Sequence, residues 1–130
     1  MSRVQIFSLA AENHSVSKGS QSVLTVQDNS SPQTVPVPSG RPGQVYLQHA
    51  DTGEWAYAPE KVEGKTISTT SVEKLRSAWR VDYNVNDCAT VHLMDQDTLM
   101  LGIDCTDPAV EAHVLLRTGA TDERNLWSFE

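Results

Sequence analysis

Two landmarks recur along this chain in the same order and at nearly the same spacing, and a repeat of that length constrains the fold more than any other feature. Val45-Tyr46-Leu47, followed by Asp51-Thr52, returns as Val91-His92-Leu93 followed by Asp97-Thr98, an offset of 46 residues. Arg76-Ser77-Ala78-Trp79-Arg80-Val81-Asp82 returns 48 residues on as Arg124-Asn125-Leu126-Trp127-Ser128-Phe129-Glu130. Both copies read Arg-x-x-Trp-x-apolar-acid. Between the landmarks each copy holds further strand segments, at residues 65–69 in one and 112–116 in the other. A weaker first copy, lacking the Trp, runs from Val4-Gln5-Ile6 through residues 22–26 to residues 33–37. The chain therefore divides into three units of four strands, about 1–43, 44–87 and 88–130, within one domain spanning 1–130.

The segments are short, alternate between apolar and polar residues, and are bounded by turn formers such as Asp51-Thr52-Gly53 and Asp107-Pro108, the signature of an all-β chain. One stretch competes for helix. In residues 70–80, Thr70 and Glu73 have capping-box spacing, and Val72, Leu75 and Trp79 share a helical face. The homologous residues 121–126 are polar and carry no such face. Both are read as turns leading into a Trp strand, with room for a single helical turn.

A chain of 130 residues supports one core. The formal charge of −7 comes with scattered basic residues, whereas a phosphate backbone calls for clustered cations, so nucleic acid is not an expected partner. No stretch approaches the roughly 20 apolar residues of a spanning helix, and no membrane insertion is expected. The first residues enter an alternating pattern with no apolar signal core, and the protein is expected in the cytoplasm. Cys88 and Cys105 are then expected as thiols. They flank a hairpin in which Leu93 pairs with Leu101 and Val91 with Ile103, near enough for a disulfide to be geometrically conceivable.

Three repeats of four strands, each ending in a Trp strand, resemble the β-trefoil fold. Val45-Tyr46-Leu47-Gln48-His49-Ala50-Asp51-Thr52-Gly53-Glu54-Trp55 is similar to the first hairpin of a ricin-B-type lectin repeat, with a Thr-Gly turn ahead of an aromatic residue. Asn125-Leu126-Trp127-Ser128-Phe129-Glu130 is similar to the end of such a domain. The lectin signature is Gln-x-Trp; this chain has Ser77-Ala78-Trp79 and Asn125-Leu126-Trp127, and Gln33 with Val35 where the first repeat would place it. The resemblance implies a β-trefoil lectin, of the kind found as small cytoplasmic fungal proteins, that binds glycans or glycoproteins without catalysis, metal or cofactor. Cross-linking of cells would require a homodimer or several sites. The alternative that the same fold implies is a protease inhibitor acting through one exposed loop.

Trp79 and Trp127 end their repeats with Val81 and Phe129 two residues on, and are expected in the core. Trp55 differs: it follows a tight turn and shares a short hairpin with Tyr57, His49 and Asp51. A carboxylate that accepts from sugar hydroxyls and an aromatic face that stacks on sugar C–H groups are the two parts of a glycan site, and these four residues offer both. The competing reading has Trp55 or Tyr57 plugging the barrel. The third-repeat hairpin carries Leu99 and Met100 instead, so the second repeat is the favoured site. Asp95-Gln96-Asp97 and Asp104-Cys105-Thr106-Asp107 lack the rest of a calcium loop, and His14, His49, His92 and His113 lack zinc spacing. The former are read as solvated turns and the latter as strand-surface residues. Residues 31–43 hold four of the six prolines and read as an edge strand followed by the linker to repeat two, rather than as a stiff inhibitory loop.

Overall fold

The computed structural model describes residues 6–9, 14–19, 22–28, 33–83, 88–104, 112–119 and 122–129. They form twelve strands: β1 (Ile6–Ser8), β2 (His14–Lys18), β3 (Leu24–Asp28), β4 (Thr34–Pro38), β5 (Gln44–His49), β6 (Trp55–Tyr57), β7 (Ser68–Thr70), β8 (Trp79–Tyr83), β9 (Ala89–Leu93), β10 (Gln96–Ile103), β11 (Ala112–Arg117) and β12 (Trp127–Phe129). All the pairings among them are antiparallel.

The first and fourth strands of each group make a barrel in the order β1-β12-β9-β8-β5-β4. The middle strands make three hairpins, β2–β3, β6–β7 and β10–β11, that cap it. Each hairpin bonds to both others. The Leu24 amide donates to the Ile67 carbonyl at 2.8 Å and the Ile67 amide to the Val114 carbonyl at 3.3 Å. Pairing of Ala112 with Val26 and of His113 with Thr25 closes the triangle. Leu24, Ile67 and Val114 are fully buried where the hairpins meet, as period-2 alternation requires of strands with one inner face.

Trp79 and Trp127 are both fully buried, in the core with Ile6, Leu47, Val91 and Leu101. Trp79 lies opposite Leu93, Trp127 opposite Ser8, and Pro36 opposite Leu47. By register, then, Pro36 rather than Val35 stands where the first repeat has no Trp. Ahead of each Trp strand the chain makes one turn of 3-10 helix, at Glu73–Leu75 and Glu123–Asn125.

In the third repeat the hairpin departs from the expected register. Leu93 faces Gln96 across a turn at Met94 and Asp95, and after a bulge His92 faces Met100. The pairing is two residues tighter than Leu93 with Leu101, and an even slip leaves the faces unchanged. Val91, Leu93, Leu99, Leu101 and Ile103 all remain buried. Two of the histidines are likewise not surface residues: His49 is 4% and His92 7% exposed, because each finds a hydroxyl inside the fold. Thr90 Oγ1 lies 2.7 Å from His92 Nε2, and His92 Nδ1 donates to the Asp97 carbonyl at 2.7 Å. Cys105, and with it any bond to Cys88, lies outside the described residues, as does the side chain of His14.

Gly102 has a structural reason to be glycine. A Cβ there would lie 2.0 Å from Asn125 Oδ1. Asn125 is fully buried and ties the turn ahead of β12 to the end of β11: its Oδ1 accepts from Arg117 Nε at 2.8 Å, and its Nδ2 donates to the carbonyls of Thr118 and Gly119. Ser77, at the same place in the second repeat, accepts from the Ala58 amide at 2.9 Å. The position two before each Trp is thus a clasp between the Trp strand and its own hairpin.

Candidate functional site

The hairpin β5–β6 brings the sequence-derived residues together but gives them different exposures. Its turn closes through the Gly53 amide on the His49 carbonyl and the His49 amide on the Glu54 carbonyl, both at 2.8 Å. Gly53 takes φ 76°, a conformation that costs glycine little. Thr52 Oγ1 accepts from the Glu54 amide at 3.2 Å. Asp51 is held at the exposed head of this turn.

Strand β6 decides which way its aromatics face. Ala56 takes the inner face at 1% exposure and joins the core, so Trp55 and Tyr57, one residue to either side, take the outer face and are half-buried. Neither belongs to the barrel core. Trp55 lies opposite Gln48, and Tyr46, two residues before Gln48, shares that outer face. The Tyr46 and Trp55 rings meet edge to face, with centroids 6.1 Å apart and planes at 83°.

His49 lies beneath. Its Nδ1 is 3.3 Å from the Thr34 hydroxyl on β4, and burial pushes its pKa down, with Asp51 pulling it up and Lys18 pushing it down. Lys18 in turn bonds Glu54 at 2.5 Å and, by that bond above all, holds the Glu54 carboxyl below its usual range. His49 is therefore a neutral support that links the turn to β4, while Asp51, Trp55 and Tyr57 are the groups that face outward.

One further residue stands over the platform. The Arg76 guanidinium carbon is 3.7 Å from the Tyr46 ring centroid and 4.5 Å from that of Trp55. The Ser77 amide, bonded to the Ala56 carbonyl at 3.1 Å, lays this segment alongside β6. Arg76 Nη1 also donates to Glu73 Oε1 at 2.6 Å. Arg76 and Tyr46 were visible in the sequence only as landmarks of the repeat. The signal that would have found Tyr46 is the alternation Tyr46, Gln48 along β5 opposite Trp55.

The equivalent region of the third repeat is built differently. Leu99 and Met100 are buried, and Arg80 bridges Asp82 and Asp97 at 2.8 and 3.2 Å, with no aromatic pair on the surface there among the described residues. At the opposite end of β5, Pro36, Gly43, Val45, Val81, Tyr83 and Phe129 line an open apolar cavity of about 310 Å³. The proline-rich stretch is not a free loop. Thr34–Pro38 is paired residue by residue with β5, from Thr34 opposite His49 to Pro38 opposite Val45. Among the described residues no group of three or more His, Cys, Asp or Glu side chains is placed to hold a metal ion.

No family model matches the sequence, and no curated protein does. Solved structures do. ThreeFoil, a designed 3-fold symmetric protein, superposes with a TM-score of 0.80 at 10% identity, over 97% of this chain and 96% of its own. The ricin B-like lectin of Macrolepiota procera, solved in complex with lactose, gives 0.81 at 11% identity over 98% and 94%. The Rhizoctonia solani agglutinin gives 0.79 at 10% identity over 99% and 95%. At such identities the likeness is one of fold. A six-stranded barrel capped by three mutually bonded hairpins, superposable on these proteins along nearly its whole length, makes this chain a β-trefoil.

Proposed function

We propose that this chain is a carbohydrate-binding protein that recognises glycans or glycoproteins without chemistry, through the β5–β6 hairpin. The observation that carries the reading is the outward pair Trp55 and Tyr57 beside the exposed carboxylate of Asp51. Sugar C–H groups pack on the aromatic surface while hydroxyls donate to the carboxylate. His49 holds the turn from below rather than touching the ligand. The fold supports the reading by analogy only, since β-trefoils serve many ends. It does include lectins, one of them solved with lactose.

The test is binding to a broad glycan array, with Trp55→Ala as the control. Reproducible signal on related glycans, reduced at least about tenfold in the variant, is the expected outcome, because loss of one stacking platform removes on the order of 1.4 kcal/mol or more. A bound glycan also raises Tm, since it binds the native state alone. A blank array with folded protein would end this reading.

A further inference from the structure

Resting on the hairpin being the sugar site, we infer that Arg76 makes it selective for saccharides that carry a carboxylate. The Trp55 and Tyr46 rings stand at 83° to one another and form a corner, and the Arg76 guanidinium lies in it, 3.7 Å from one centroid and 4.5 Å from the other. A sugar approaching that face of Trp55 meets a cation before it meets an indole. A neutral sugar stacks there only by displacing the guanidinium and losing its contact with both rings. An acidic sugar has no such conflict, because its carboxylate binds the planar edge of the guanidinium while the rings hold the guanidinium in place.

The position such a carboxylate would take is already marked. Glu73 Oε1 sits 2.6 Å from Arg76 Nη1, and the Glu73 side chain is 67% exposed. No other hydrogen bond engages the Arg76 guanidinium among the described residues. The Arg76 side chain is 22% exposed, but its partner is largely in solvent three residues away on the same turn, and such a pair is weak, so a ligand carboxylate displaces Glu73 at little cost. Glu73 thus acts as an internal occupant of an anion site. Of the other acids on the hairpin, Glu54 is neutralised by Lys18 at 2.5 Å, and Asp51 lies at the head of the turn. The net charge of −7 opposes approach from afar, but beyond about 8 Å it is largely screened at physiological salt.

The experiment compares one array across wild type, Arg76→Gln, Arg76→Lys and Glu73→Gln. It carries neutral oligosaccharides, sialylated and uronic-acid oligosaccharides, and methyl esters of the acidic ones. We expect acidic members to be preferred over their own methyl esters. Arg76→Gln should weaken acidic binding by about tenfold or more, and Arg76→Lys, which keeps the charge without the fork, by less. Glu73→Gln, at an exposed position that leaves the aromatic corner intact, should strengthen acidic binding several-fold. Equal binding of acids and esters, unchanged in Arg76→Gln and Glu73→Gln, overturns the selectivity and leaves the lectin reading standing. A folded protein that binds nothing on the array overturns both.

Discussion

At His49 burial, the largest influence, and the Lys18 charge lower the pKa while the Asp51 and Glu54 carboxylates raise it, and the net shift is downward, so the folded protein holds this imidazole neutral below its usual pKa. The unfolded chain binds the proton more readily. Stability contributed by neutral His49 is present above about pH 6.5, the ordinary imidazole value, and is lost as pH falls below it toward the depressed folded value. Thermal unfolding measured between pH 7.5 and 5.5 should show Tm falling, with a shallower fall in His49→Gln; parallel curves for the two proteins would contradict this. The sequence made the turn around His49 legible, because Asp51-Thr52-Gly53 is a turn signal by itself. It did not show that His49 faces inward, since that depends on β4 lying beside β5 and offering the Thr34 hydroxyl. Arg76 was hidden for a similar reason: its partners Tyr46 and Trp55 lie on other strands, and only the pairing of β5 with β6 brings their rings together.

At the scale of single strands the two Trp residues are equivalent in burial and unequal in bonding. Trp127 Nε1 donates to the Leu101 carbonyl at 3.0 Å, whereas the buried Nε1 of Trp79 finds no partner among the described residues. Trp127→Phe leaves a buried carbonyl without its donor, while Trp79→Phe removes an unsatisfied N–H and opens a similar void. Trp127→Phe should therefore cost about 1–2 kcal/mol more than Trp79→Phe in denaturant unfolding. Equal losses would mean that the indole N–H contributes nothing in either repeat. The strands themselves were readable from alternation and turn residues, and the burial of both Trp residues followed from their place in the repeat. The third-repeat register was not readable, because an even slip keeps Val91, Leu93, Leu99 and Leu101 on the same face and leaves no mark in the apolar pattern.

For the molecule as a whole, the repeat carried the architecture. Landmarks at offsets of 46 and 48 residues predict equivalent places in a threefold arrangement, and Leu24, Ile67 and Val114 meet in the cap as such an arrangement demands. The repeat said less about the site, since function on a symmetric scaffold resides where the copies differ. Trp55 and Tyr57 have no aromatic counterparts at Leu99 and Met100, which are both buried, Leu99 in the core. The barrel also has a seam. Strands β1 and β12, the first and the last, are hydrogen-bonded neighbours, with Ile6 opposite Phe129 and Ser8 opposite Trp127. Where the first and last strands of a chain pair with each other, its linear order is a matter of where the chain was cut. A circular permutant that begins at Arg41 and finishes at Gly40, with a short Gly-Ser bridge from residue 130 to residue 1, opens the chain in an exposed turn and keeps every strand's neighbours. It should unfold cooperatively, with Tm lowered by only a few degrees, on the order of 1 kcal/mol; non-cooperative melting would show that the seam at β1 and β12 must be made first for the rest to form.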